Sequence, residues 1–163
     1  MTESHPPLII AVDDEQDDIF FLRRTLGKSG FAHQFQPFSN GEAAIVALTA
    51  IATSDTPLTH PLICFLDIKM TAMTGFDLLR WIRGQKGLDG LPVLMYSSSD
   101  HPSDVELARE LGAQGYLKKY PSVTAMRTVL EQATEFALAA PPKKTFLQWS
   151  YRFVDAADTV PAK

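Results

Sequence analysis

The chain has 163 residues, of which 45% are apolar and 21% are charged. These values are typical of a globular protein with one ordinary domain. The formal net charge of −4 argues against a general nucleic-acid or membrane-surface binder, because such proteins need a basic surface.

The cysteine content and the hydropathy of the chain bear on its cellular location. Cys64 is the single cysteine of the chain, so an intrachain disulfide is excluded. Residues 1–7 lack the basic start of a signal peptide, and no apolar run approaches transmembrane length. We therefore expect a cytoplasmic protein without a membrane partner.

Five short runs predict β-strands, and each is followed by a segment with helical periodicity. The predicted strands cover residues 8–12, 33–38, 63–66, 91–96 and 115–117. The predicted helices cover residues 17–29, 43–50, 76–83, 104–111 and 122–139. Ser39 and Glu42 have the spacing of a capping box before the second helix. Five strand–helix alternations are typical of an α/β fold, in which helices cover both faces of a parallel sheet.

The C-terminal segment breaks this alternation. We predict one domain over residues 1–140 and a tail over residues 141–163, without a separate output domain. The tail carries four aromatic residues, which are Phe146, Trp149, Tyr151 and Phe153. It could pack on the domain, complete a dimer or contact a partner, and the sequence leaves these alternatives open.

Polar residues follow four of the predicted strands. Asp13 and Asp14 follow the first strand, Asp67 the third, Ser97 the fourth and Lys119 the fifth. Chemistry in open α/β sheets gathers beyond the carboxyl ends of the strands. Three carboxylates repel one another unless a cation lies among them, and Mg²⁺ prefers such oxygen ligands. A carboxylate beside Mg²⁺ and a lysine can attack phosphorus and form an acyl phosphate.

This arrangement resembles the receiver domain of two-component response regulators, the CheY-like family. The sequence Asp13-Asp14-Glu15 is similar to the acidic pair of that family, and residues 67–75 (DIKMTAMTG) are similar to its D-x-x-M-P-x-M-x-G loop. The resemblance extends over residues 7–139. It implies a doubly wound, flavodoxin-like α/β fold with five parallel strands in the order 2-1-3-4-5 and five helices.

Two further segments resemble a narrower group within that family. The start of the first helix (DDEQDDIFFLRR) and the long loop before the Asp67 strand are similar to those of single-domain regulators. Such regulators accompany phytochrome-type and other hybrid histidine kinases.

The resemblance implies a role for each acidic residue. Asp67 would be the phosphoacceptor and a ligand of Mg²⁺. Asp14 would bind the ion directly, and Asp13 would act mostly through a bound water. The backbone carbonyl of Lys69 would supply a further ligand.

Three other residues match family positions. Ser97 and Lys119 fall where the family places the serine or threonine and the lysine that contact the phosphoryl group. Tyr116 falls at the aromatic switch position, although it could also be an ordinary residue of an amphipathic strand. Two more serines follow Ser97, and Lys118 adjoins Lys119. The spacing from Tyr116 favours Lys119.

Two residues depart from the family pattern. Thr71 stands where the family usually has proline, and we expect it to loosen the loop without removing a ligand. Tyr120 stands where a cis-proline often follows the lysine, which weakens the match around Lys119. Lys69 could hinder or orient the hydrolytic water, and the sequence does not decide between the two effects.

The resemblance implies a phosphorelay protein and not an enzyme. Asp67 would accept a phosphoryl group from a sensor histidine kinase or a histidine phosphotransfer protein, and the binding surface would then change. One rival interpretation is a pseudo-receiver, which binds proteins without phosphotransfer. Another is an aspartyl phosphatase, which generally needs a second acid where Lys69 stands.

The expected partners follow from the same resemblance. A homodimer could form through the face made by the fourth helix, fifth strand and fifth helix, or through the tail. The 23 residues of the tail are too few for a helix-turn-helix module, so we expect no nucleic-acid partner.

Overall fold

The computed structural model describes residues 5–56 and 58–139, and it contains one five-stranded sheet. All strand pairs are parallel, and their order is β2-β1-β3-β4-β5. The strands are β1 (Leu8–Val12), β2 (Gln34–Phe38), β3 (Leu62–Leu66), β4 (Val93–Ser97) and β5 (Gly115–Lys118). The predicted fold class and strand order are confirmed.

Within the described residues, five α-helices follow the strands in turn. They are α1 (Gln16–Lys28), α2 (Gly41–Ala52), α3 (Gly75–Arg83), α4 (Pro102–Glu110) and α5 (Val123–Leu138). A short 3₁₀ helix at Lys86–Leu88 was not predicted. Among the described residues, no helix has the length and hydropathy needed to cross a membrane.

Two apolar layers cover the faces of the sheet. Helices α1 and α5 pack on one face, and α2, α3 and α4 pack on the other. The central strand β3 is buried along its whole length. Its side chains alternate between the layers, with Ile63 and Phe65 toward α1 and α5, and Cys64 and Leu66 toward the opposite face. This double burial explains why β3 is a continuous apolar run.

Two helix starts differ from the sequence prediction. The predicted capping box of Ser39 and Glu42 is wrong, because Asn40 is the N-cap of α2 and its side chain accepts the Ala43 N–H at 2.8 Å. Asparagine caps as well as serine does, so the pattern could not choose between the neighbours. A capping box that was not predicted opens α3, where Thr74 and Asp77 bond reciprocally. The predicted tail, residues 141–163, lies outside the described residues.

Gly75 brings the start of α3 against the residue that follows β3. A Cβ atom at this position would collide with the carbonyl oxygen of Asp67 and lie 2.8 Å from its carbonyl carbon. The Gly75 N–H also donates to the carbonyl of Ile68 at 3.0 Å. The first turn of α3 therefore limits where Asp67 can lie, and only glycine leaves room for that contact.

Replacing Gly75 by alanine is expected to lower the free energy of unfolding by about 1–3 kcal/mol, because the added methyl group would collide with the backbone of Asp67 and force it to move. Urea unfolding measures the loss. Gly27→Ala is the matched control, since a Cβ there meets nothing within 4 Å. That variant should be neutral or slightly stabilised. Equal stability of the two variants would contradict the close approach at Gly75.

Candidate functional site

The ends of β1 and β3 bring three carboxylates together. Val12 pairs with Leu66 in the sheet, so the residues that follow them, Asp13 and Asp67, leave the sheet side by side. One oxygen from each of Asp13, Asp14 and Asp67 lies within 4.8 Å of the others. Asp13 and Asp67 are buried. The register of the parallel sheet thus concentrates negative charge at one edge.

Lys119 follows β5 and places its ammonium group among these acids. Its Nζ lies 2.9 Å from Asp13 Oδ2 and 3.3 Å from Asp67 Oδ1, and its side chain is only 4% exposed. The neighbouring Lys118 points away and pairs with Asp100 at 3.0 Å. The structure therefore places Lys119 in the cluster and Lys118 outside it.

A fourth acid, Asp18, also reaches the lysine and was missed from the sequence. Asp18 Oδ2 lies 2.7 Å from Lys119 Nζ, the shortest of the three contacts of that ammonium group. Its other carboxylate oxygen accepts the hydroxyl of Tyr120 at 2.5 Å. The available signal was the position of Asp18 in the first turn of α1, just beyond the acidic pair.

Burial and charge shift the proton affinities of this cluster. Burial, reinforced by the charge of Asp13, raises the pKa of Asp67 to about 6 despite the opposing contact with Lys119. Burial also raises the pKa of Asp13. Burial alone would lower the pKa of Lys119, but the close carboxylates of Asp18 and Asp13 outweigh this effect and raise that pKa. One ammonium group does not fully compensate the surrounding carboxylates.

The donor set fits a hard divalent cation. Asp13, Asp14 and Asp67 offer only oxygen, which Mg²⁺ prefers. Asp13 Oδ2 is buried, and although Lys119 Nζ is close by, this oxygen accepts no well-aligned hydrogen bond. A buried carboxylate oxygen left in this state is a natural ligand for a cation. Lys69 lies two residues after Asp67 with an exposed side chain, and its carbonyl remains a predicted ligand.

Asp14 is held by the loop that follows β3. The backbone N–H of Thr71 donates to Asp14 Oδ2 at 3.1 Å, and the Thr71 hydroxyl lies 3.3 Å from the same oxygen. The next residue, Ala72, has a φ of 67°. Proline could not donate the backbone hydrogen bond. At this position Thr71 therefore ties the loop to the end of β1.

Ser97 and Tyr116 lie on the neighbouring strands β4 and β5. Ser97 is the last residue of β4 and is buried, and its Oγ accepts the N–H of Ser99 at 3.2 Å. Tyr116 is fully buried, and its hydroxyl donates to the Ser99 carbonyl at 2.7 Å. The structure thus shows Tyr116 in an inward position, joined to the loop after β4.

A family model for the response regulator receiver domain matches residues 9–131. This range covers most of the chain and all the site residues. The chain belongs to the response regulator receiver family. The resemblance stated from Asp13, Asp14 and the loop after Asp67 is confirmed.

A curated relative agrees with this assignment. The receiver is 32% identical over 111 residues to the transcriptional regulatory protein GltR of Pseudomonas aeruginosa, which covers 68% of this chain and 42% of GltR. The chain thus spans less than half the length of that relative.

Solved structures share the fold. Vibrio cholerae CheY4 has a TM-score of 0.66 at 21% identity, covering 79% of this chain and 99% of CheY4. The Mn²⁺-bound response regulator Rcp1 has a TM-score of 0.62 at 22% identity, with coverages of 83% and 96%. The phosphorylated cyanobacterial phytochrome response regulator RcpA has a TM-score of 0.64 at 21% identity, with the same coverages. Receiver structures from phytochrome systems are therefore among its structural neighbours.

The raised pKa of Asp67 predicts a pH-dependent stability in protein freed of metal with EDTA. Asp67 loses its proton less readily in the folded state than in the unfolded state. The free energy of unfolding should therefore fall progressively as the pH rises from about 4 to about 6. The Asp67→Asn variant lacks this decrease. Relative to wild type, it should gain about 1–3 kcal/mol between pH 4 and pH 7.

Urea unfolding at several pH values in EDTA measures that gain. Asp17→Asn is the control, because Asp17 is exposed and should show no such trend. A stability difference between Asp67→Asn and wild type that stays constant with pH would contradict the raised pKa.

Proposed function

We propose that this receiver accepts a phosphoryl group on Asp67 from a phosphohistidine. The donor would be a sensor histidine kinase or a histidine phosphotransfer protein in the cytoplasm, the partner class of receiver domains. The observation that carries the proposal is the position of Asp67, a buried carboxylate beside both the acidic pair and the ammonium group of Lys119. We further propose that the protein is not an enzyme acting on other substrates.

In the proposed transfer, an Asp67 carboxylate oxygen attacks phosphorus in line with the bond to histidine. The new O–P bond forms while the N–P bond breaks, and the electron pair of that bond returns to the imidazole. Lys119 then pairs with the phosphoryl oxygens, and the Ser97 hydroxyl donates to one of them. Asp13, Asp14, Asp67 and the Lys69 carbonyl would hold Mg²⁺, which neutralises negative charge on the transferring group.

Phosphorylation would then change the conformation of the surface around β5. Drawing Ser97 toward the phosphoryl group changes the neighbourhood of Tyr116, which is tied to the loop after β4. The packing of α4, β5 and α5 responds because interiors are close-packed. A kinase, a downstream protein or a second copy of the chain could read this face.

We propose that the chain acts as a single-domain regulator. The near-complete coverage of CheY4, Rcp1 and RcpA supports this, since each consists almost wholly of the matched fold. The pseudo-receiver interpretation is less favoured, because the acidic cluster and Lys119 are both assembled. The Mn²⁺ bound to Rcp1 and the phosphorylation of RcpA agree with the proposed chemistry.

Incubation with acetyl phosphate and Mg²⁺ tests the proposal, with intact-protein mass spectrometry as the readout. Wild type should gain one phosphoryl group, and EDTA should prevent this gain. Asp67→Asn should gain none, whereas the control Asp55→Asn, at an exposed position of the loop before β3, should behave as wild type. Undiminished labelling of Asp67→Asn, or no labelling of wild type, would overturn the assignment.

A further inference from the structure

The shortest contact of Lys119 goes to a residue outside the three-acid cluster. Its Nζ lies 2.7 Å from Asp18 Oδ2, compared with 3.3 Å from Asp67 Oδ1. The Asp18 side chain is 13% exposed, so water screens this pair only partly. In this structure, the ammonium group therefore lies closer to Asp18 than to the proposed phosphoacceptor.

Tyr120 fixes the carboxylate of Asp18. Its hydroxyl donates to Asp18 Oδ1 at 2.5 Å, and its ring packs edge-on against Phe21 with the centroids 6.0 Å apart. Tyr120 adopts a φ of 63°, a left-handed conformation that is uncommon for a residue with a side chain. The turn after β5 thus directs the tyrosine toward α1 and holds Asp18 against Lys119.

A plainer role for Asp18 is stabilisation of the α1 N-terminus. Acids in the first helical turn interact favourably with the helix dipole. Asp17 occupies the same turn and can do this from its exposed position, without contacting Lys119 or Tyr120. Stabilisation of the helix therefore does not account for the contacts of Asp18 with Lys119 and Tyr120.

We propose that Asp18, anchored by Tyr120, is a positioning residue that competes with the phosphoryl group for the ammonium group of Lys119. This inference rests on the proposed function. A phosphoryl group on Asp67 adds negative charge and attracts Lys119 away from Asp18. The loss of the Asp18 contact opposes that movement, so Asp18 disfavours the phosphorylated arrangement.

The same charge has the opposite effect on a divalent cation. The Asp18 carboxylate adds to the negative field of the cluster and draws Lys119 away from Asp67, and both effects favour Mg²⁺. In Asp18→Asn, affinity for Mg²⁺ should therefore fall about three- to tenfold. With Mg²⁺ saturating, affinity for beryllofluoride, which mimics a phosphoryl group on a carboxylate, should rise by a similar factor. A purely structural role would not produce changes of opposite sign.

Two titrations on the full chain test this inference. Calorimetry measures Mg²⁺ binding, and ¹⁹F NMR measures beryllofluoride binding at saturating Mg²⁺. Tyr120→Phe keeps the charge of Asp18 but removes the hydrogen bond that anchors it. This variant should therefore change both affinities in the same directions as Asp18→Asn does, but by smaller factors. Asp17→Asn is the matched control, with the same change of net charge one residue away, and should leave both affinities near wild type.

The outcomes separate this inference from the proposed function. If wild type binds no beryllofluoride, the proposed function fails. If wild type binds it but Asp18→Asn matches Asp17→Asn, the competition is overturned and the proposed function stands. Weaker beryllofluoride binding by Asp18→Asn, with its fold intact by circular dichroism, would also overturn the competition, because Asp18 would then assist the phosphoryl state.

Discussion

The ammonium group of Lys119 lies among the carboxylates of Asp13, Asp18 and Asp67, and the organisation of the site depends on it. The parallel pairing of β1 and β3 forces Asp13 and Asp67 together, and repulsion between them is the unavoidable result. Lys119 offsets part of that repulsion, since its Nζ contacts both. Burial, together with the remaining repulsion from Asp13, raises the pKa of Asp67. The remaining negative charge also accounts for the fit to a divalent cation.

The loop after β3 helps to fix the positions of the acidic residues. Its far end is limited by Gly75, which packs on the backbone of Asp67. Its middle is tied to Asp14 through Thr71, so the loop connects the two strand ends that carry the acids. Thr71, at the position where the family usually has proline, therefore forms hydrogen bonds to Asp14 that proline could not form through its backbone nitrogen. The expectation of a looser loop at Thr71 stays a prediction, and this tie works against it.

The predictable part of the site came from chain order and periodicity. Short apolar runs ending in polar residues indicate parallel strands, and such strands end at a common edge. That argument was enough to bring Asp13, Asp14, Asp67 and Lys119 to one place. The choice of Lys119 over Lys118 required only the spacing from Tyr116, and the structure places Lys119 in the cluster.

Other features depend on angles that the sequence pattern does not encode. The contact of Asp18 with Lys119 depends on how α1 is oriented relative to β5. Its anchor depends on the left-handed φ of Tyr120, a residue that the sequence marked only as a departure from proline. The N-cap of α2 was misplaced by one residue because Ser39 and Asn40 are both good caps. Local geometry decided these points, and hydrophobic periodicity carries no information about it.

The most direct measurement for the central claim is the stability of Lys119→Met in EDTA and in Mg²⁺ at pH 7. Removing the cation leaves buried carboxylates without compensation, so the variant should lose about 3–5 kcal/mol in EDTA. Mg²⁺ should then stabilise Lys119→Met more than it stabilises wild type, because the ion meets less competition for the same acids. A variant that is as stable as wild type in EDTA, with no larger gain from Mg²⁺, would contradict the claim that Lys119 balances the acidic cluster.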